Sequence, residues 1–323
     1  MNPSPPALAD GSQLGARLRD RDLAAAPAVL NLVESRGAEA RGQTEALLAA
    51  VSPAALGGEA PGSIVGVTGP PGVGKSSLLS RLVAAWRARS RSVAVLAVDP
   101  TSRRSGGSLL GDRARIERDP ADPAVFIRST AAGDRLGGLA PATRAAATAL
   151  ACAFDVVVIE TVGVGQSETE VADVADTVAV IVQPGSGDVL QFLKSGIMEI
   201  PDVLVVTKAD LGQVAARARA DLEAALGALD STSAVVSVSS VAPPAGIDEL
   251  VEALDAHRAG LDLAARRVRS RRMHALADYA AEYGDRGLRA VGGRREAEKW
   301  LAQQDGALDV AALRHALEEE ARP

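Results

Sequence analysis

The 323-residue chain is 47% hydrophobic but only 2% aromatic, so its core must be assembled from Ala, Val, Leu and Ile. A formal net charge of −6 argues against a nucleic-acid binder at the level of the whole chain. The single cysteine, Cys152, excludes an internal disulfide framework and fits a reducing compartment.

The opening Met1-Asn2-Pro3-Ser4-Pro5-Pro6 lacks the basic and apolar regions of a signal peptide. No uncharged apolar run is long enough to cross a bilayer, so the expectation is a soluble cytoplasmic protein with no membrane partner. Residues 1 to about 20 are rich in Pro, Gly and polar groups and read as loosely attached. From Leu23 to Val51, residues such as Val29, Leu30, Leu32 and Val33 recur at helical spacing, with Pro27 starting or interrupting the helix. A Gly-rich linker, Gly57 to Gly62, follows. The divisions are an N-terminal helical extension (1–58), a nucleotide-binding block (59–260) and a C-terminal helical arm (261–323).

The block opens on a β-branched run, Ile64, Val65 and Val67, that ends at Thr68. Next comes Gly69-Pro70-Pro71-Gly72-Val73-Gly74-Lys75-Ser76, a complete G-x-x-x-x-G-K-[ST] phosphate loop, and a helical pattern starting at Ser77. Glycines let backbone N–H groups turn inward around phosphate oxygens. Lys75 then bridges the outer phosphates, Ser76 offers its hydroxyl to Mg2+, and the helix N-terminus adds attraction for anions. The motif predicts a nucleoside triphosphate site.

Aliphatic strands then alternate with helices. Strands are predicted at 92–98, 125–128, 156–160, 178–182, 203–206 and 234–238. Helices are predicted at 141–154, 189–199, 211–229 and 247–257. The pattern predicts an α/β fold: a P-loop NTPase with a mostly parallel sheet covered by helices on both faces. Ligands in such folds gather at the carboxyl ends of the strands. After residue 261 the strands stop, and 263–283, 294–303 and 310–320 read as helices.

Several charged residues fall at those strand ends. Asp99, Asp112 and Glu160 are candidate Mg2+ ligands, directly or through water, because Mg2+ prefers oxygen donors. Glu160-Thr161-Val162-Gly163 reads as D-x-x-G with Glu for Asp, and the Gly163 N–H is placed to meet the terminal phosphate. Lys75, Asp99, Asp112, Glu160 and Gly163 are therefore the candidate catalytic set. Val164 stands where Ras-like switches carry a water-orienting glutamine, which predicts slow intrinsic hydrolysis unless Gln166 or one of Arg103, Arg104, Arg113 and Arg115 enters the site. Thr207-Lys208-Ala209-Asp210 resembles the guanine motif N-K-x-D. An aspartate accepts from guanine N1 and N2, whereas adenine would leave it unpaired. Ser240-Val241 occupies the place of the S-A loop that backs the base. The run Arg266-Arg267-Val268-Arg269-Ser270-Arg271-Arg272 lies in a segment with 12 basic and 11 acidic residues, which reads as a solvated face or subunit contact rather than a nucleic-acid site. His257, His274 and His315 are scattered and read as surface residues.

Together, Val98-Asp99-Pro100-Thr101-Ser102, Gly106-Gly107-Ser108-Leu109-Leu110-Gly111-Asp112, Glu160 to Glu168 and Gly185-Ser186-Gly187-Asp188 closely resemble the MeaB/ArgK family of G-protein chaperones. The resemblance is dense from about residue 63 to 212. It implies a SIMIBI-class G domain with helical extensions and a C-terminal dimerisation arm, hence a homodimer. It also implies GTP/GDP and Mg2+ as ligands, with Val164 to Glu168 as a further switch loop. The implied partner is an adenosylcobalamin-dependent acyl-CoA mutase, chiefly methylmalonyl-CoA mutase, whose cofactor loading is gated and whose activity is protected. Two other classes compete. A nickel-insertion GTPase would need Cys/His clusters, and a transport-system kinase would use ATP.

Overall fold

The computed structural model describes residues 8–99, 116–131, 139–161, 167–185 and 201–322. The chain forms two compact units, residues 62–261 and a second that joins residues up to 61 with those from 262 onward. Among the described residues, no helix is long and apolar enough to cross a membrane.

The 62–261 unit is built on seven strands: β1 (Ser63–Thr68), β2 (Val93–Asp99), β3 (Val125–Ala131), β4 (Val156–Glu160), β5 (Thr177–Val182), β6 (Val203–Val206) and β7 (Ala234–Ser237). All are parallel, in the order β3-β2-β4-β1-β5-β6-β7. The central strands are mostly aliphatic because both of their faces are covered; β4, β5 and β6 are buried at every position. One buried layer joins Val65, Val67, Leu79, Trp86, Val158, Ile181, Val205 and Leu250. Successive strands fill one side of β1 and later ones the other, so the chain's direction of winding reverses beside β1. Crevices for ligands form at such a reversal.

The two edges of this sheet are finished differently. At the amino ends, each of three aspartates ahead of a strand takes an amide N–H at the start of the neighbouring one. Asp155 accepts from Ser92 N (2.7 Å), Asp176 from Ile64 N (2.8 Å) and Asp202 from Val178 N (2.8 Å). His257, expected on a free surface, is instead drawn into this edge. Its ring lies 2.9 Å from Thr177 Oγ1 and 3.1 Å from Asp202. The carboxyl ends carry the candidate site.

In the other unit, the segment expected to be loose contains a helix, Gly11–Arg19. Asp10 caps it by accepting from Gln13 N, while Leu14 and Leu18 are buried. Gly11 and Gly15 do not mark disorder. A Cβ at Gly11 would lie 1.8 Å from Gln43 O, and one at Gly15 would lie 2.5 Å from the Ala50 Cβ, so both are needed for helix contact. The expected long helix from Leu23 is two, Ala26–Glu34 with Pro27 in its first turn and Ala38–Ala50, divided at Gly37 with φ 113°. The arginine run works inside this unit. Arg267 donates to Ala60 O (2.6 Å), Arg271 forks onto Glu59 (2.9 and 2.7 Å), and Arg272 donates to Gln304 O (2.7 Å). The helix they stand on, Leu263–Ala290, runs on past its predicted end across a non-helical Gly284, and Val310–Glu320 has its predicted bounds. The helix predicted at 189–199 lies outside the described residues.

Candidate functional site

β1 delivers Thr68 to the carboxyl edge, and the chain turns at once into the phosphate loop. Gly69 has to be glycine, because its φ is 148° and a Cβ there would lie 2.3 Å from Ile181 O in β5. Gly72 and Gly74 also have positive φ (81° and 96°), but a Cβ at either would meet nothing within 4 Å among the described residues. That face of the loop is open backbone, the form that admits phosphate oxygens. Val73, 1% exposed, anchors the loop in the core beneath. The chain continues through Pro70 and Pro71 and then into the helix Lys75–Ala88, with Ser76 and Ser77 in its first turn. Lys75 Nζ folds back over the loop and donates to Gly69 O (2.5 Å) and Pro70 O (3.1 Å).

Beside the loop, β4 sets Glu160 opposite Val67 of β1 and opposite Ala97 of β2. Glu160 is 4% exposed. The next residue locks the two strand ends together: Thr161 N donates to Val67 O (3.0 Å) and its hydroxyl to Thr68 Oγ1 (2.8 Å). Asp99 ends β2 on the same edge. A serine hydroxyl and carboxylates make the hard, all-oxygen donor set that Mg2+ takes, and Ser76, Glu160 and Asp99 fit it by chemistry. Asp112, Gly163, Val164, Gln166 and the loop arginines Arg103, Arg104, Arg113 and Arg115 lie outside the described residues. The helix Ser167–Ala172 is tied in by Glu170, which accepts from Leu139 N (2.5 Å). Burial, and next the neighbouring Glu170, pushes the Asp173 carboxyl above the usual range.

Past β5 lies the base-facing side. Thr207 follows β6 and is 3% exposed. Its N–H donates to Val182 O (2.9 Å), and its hydroxyl lies 2.8 Å from Val73 O and 3.1 Å from Val182 O. With Val182 O already served by the amide, the hydroxyl proton is available to Val73, and a threonine thus ties the base motif to the phosphate loop. Lys208 sits in left-handed backbone (φ 56°, ψ 42°), with Nζ 2.5 Å from Gln183 Oε1. Asp210 is exposed, and its Oδ1 accepts from Ser239 Oγ (2.8 Å). Ser239, not Ser240, therefore braces the aspartate. Ser240 offers backbone instead: its C=O accepts from Arg81 Nε (3.1 Å), and its N–H has no hydrogen bond among the described residues. Val241 is 62% exposed at the loop tip.

The phosphate loop with Ser76 and Ser77, Glu160, the end of β2 at Asp99, and Thr207, Lys208, Asp210, Ser240 and Val241 thus share one edge of the sheet. Ser239, Gln183 and Arg81 complete the arrangement and were not singled out from sequence. Two adjacent serines gave no ground for choosing between them, and Arg81 lies 159 positions from its partner.

The geometry agrees with what similar proteins are named for. A GTPase relative in Pyrococcus abyssi is 53% identical over 148 residues, 46% of each chain, so the match spans about half of that relative's length. A probable GTPase of Mycobacterium tuberculosis is 40% identical over 255 residues, covering 76% of this chain and 74% of the relative. A crystal structure titled LAO/AO transport system kinase superposes with a TM-score of 0.66 at 28% identity, over 98% of this chain and 99% of that one. The family model described as Methylmalonyl Co-A mutase-associated GTPase MeaB matches residues 26–286, and the chain belongs to that family of P-loop GTPases.

Proposed function

We propose that this chain binds GTP with Mg2+, hydrolyses it slowly, and uses the GTP/GDP difference to chaperone an adenosylcobalamin-dependent acyl-CoA mutase, chiefly methylmalonyl-CoA mutase. The observation that carries the nucleotide assignment is a donor beside an acceptor. Asp210 is an acceptor held by Ser239, and the adjoining Ser240 N–H is a donor. Guanine shows an acceptor at O6 and donors at N1 and N2, the complementary order; adenine shows the reverse at N6 and N1. A mismatched base leaves the carboxylate unpaired, which is the strong form of discrimination. Lys75 and the loop amides hold the phosphates and gather the negative charge that builds as the terminal bond breaks. Ser76, Asp99 and Glu160, with Asp112, are the residues that would hold Mg2+, which neutralises phosphate charge when bound. Val164, with no hydrogen-bonding side chain, is the reason for slow turnover.

The mutase assignment rests on the family's description. Cytoplasmic location and a homodimer formed through the C-terminal arm belong to the same proposal. Two measurements test it. Asp210→Asn should move preference from GTP toward XTP by at least about tenfold, since an amide can donate to the second carbonyl of xanthine; unchanged preference would sink the guanine assignment. A pull-down with and without a non-hydrolysable GTP analogue should recover a cobalamin-dependent mutase, and recovery of none in either state would end the chaperone reading. The likeness to the structure titled a transport system kinase favours one second reading, an ATP-dependent kinase. Faster turnover of ATP than of GTP would select it.

A further inference from the structure

We infer that Arg81 is a positioning residue for base recognition: from the helix that starts at the phosphate loop, it holds in place the residue whose N–H the Ser239–Ala245 pairing aims outward. The inference rests on the guanine reading above and adds a residue outside every motif.

The loop after β7 is short and pinned at few points. Ser239 and Ala245 exchange two backbone hydrogen bonds of 3.0 Å each, closing its base. Ser239 O therefore points to Ala245 N, and in a planar trans peptide the following N–H, that of Ser240, points the opposite way, out of the loop. The other peptide flanking Ser240 is held from outside. Its C=O accepts from Arg81 Nε at 3.1 Å, while its N–H is 3.3 Å from Ser239 Oγ, a long bond to a hydroxyl whose own proton goes to Asp210. Arg81 is thus the one side chain from another element that grips Ser240 among the described residues. A guanidinium bond to a carbonyl is charge-assisted and planar, which suits it to anchoring Ser240 in place. Both sides of the base site consequently hang from the phosphate-loop element, through Thr207 to Val73 and through Arg81 to Ser240.

Loss of Arg81 should spare the fold. The helices Lys75–Ala88 and Ile247–Gly260 share a buried layer that includes Leu78, Leu82, Leu250 and Leu254. Beyond the first helix, Arg89–Asp248 (2.9 Å) and a two-pronged Arg91–Asp255 pair (2.7 and 2.8 Å) hold the same neighbours.

The test measures affinities of the full chain for GTP and for 2-aminopurine riboside triphosphate, which lacks the 6-oxygen that the Ser240 N–H would serve. Arg81→Met should weaken GTP roughly tenfold, the scale of one lost hydrogen bond, and leave the 2-aminopurine nucleotide unchanged. Arg81→Lys, which keeps a cationic donor, should recover part of the GTP affinity and also serves if the Met variant fails to fold. Equal weakening of both nucleotides would make Arg81 a general strut and overturn the proposal, as would no weakening of either. Equal affinity of the unaltered chain for the two nucleotides would instead overturn the guanine reading beneath it.

Discussion

The two edges of the central sheet solve opposite problems with similar residue types. At the amino edge, Asp155, Asp176 and Asp202 spend their carboxylates on backbone N–H groups of the adjacent strands, and Asp176 is only 1% exposed. At the carboxyl edge, Asp210 stands exposed, a Cβ at Gly72 or Gly74 would meet nothing within 4 Å among the described residues, and the Lys75 ammonium bends back to the loop carbonyls of Gly69 and Pro70. A carboxylate spent on the backbone of a neighbouring strand supports the fold; an exposed one at the open edge supports binding. Changes at one edge should therefore move stability, and changes at the other should move function.

The sharpest break of this symmetry is Lys75→Ala. It should lower GTP hydrolysis by at least about a hundredfold, because it removes a preorganised cation from the developing phosphate charge. The melting midpoint should shift by no more than about 2 °C, since the side chain is not part of the buried layer. Asp176→Ala should do the reverse. It leaves the buried Ile64 N–H without its acceptor, at a cost of about 2–3 kcal/mol, or a fall in melting midpoint of about 5–10 °C for a unit of this size. Turnover per folded molecule should stay the same, as measured after correcting for active-site concentration. If Lys75→Ala melted the protein, or Asp176→Ala lowered turnover at full folding, the division between the edges would not hold.

The carboxyl edge was the more legible of the two. A phosphate loop must supply glycine, lysine and serine at fixed spacing because the ligand's geometry is fixed, so Gly69 to Ser76 can be read directly. Buried parallel strands need uninterrupted aliphatic runs, and β4 and β6 appear at their predicted bounds. What could not be read depended on distant partners. Asp155, Asp176 and Asp202 look like ordinary pre-strand turn residues until the strand order places a neighbour's N–H beside each. Gly11 and Gly15 resemble a flexible tail until Gln43 and Ala50 occupy the space a Cβ would need. His257 had no local signal, since its partners Thr177 and Asp202 lie 80 and 55 positions away in the chain.

Thr207 tests the comparison at its weakest point, because it is buried like the structural edge yet belongs to the functional one. Its hydroxyl has one proton and two carbonyls in reach, and the Val182 carbonyl already receives the Thr207 N–H. The proton therefore matters most to Val73 O, next to the open Gly74 and Lys75. Thr207→Val keeps the shape and removes only that donor. It should raise the GTP dissociation rate by roughly fivefold, the scale of one neutral hydrogen bond, while the melting midpoint falls by at most a few degrees, about 1 kcal/mol. Thr207→Asn, whose amide carries two N–H groups on a longer arm, should restore slow dissociation if the tie to the phosphate loop is what counts. Dissociation by stopped flow with a fluorescent GTP analogue distinguishes the cases. A Val variant that melts early but releases nucleotide at the original rate would place Thr207 with the aspartates of the amino edge.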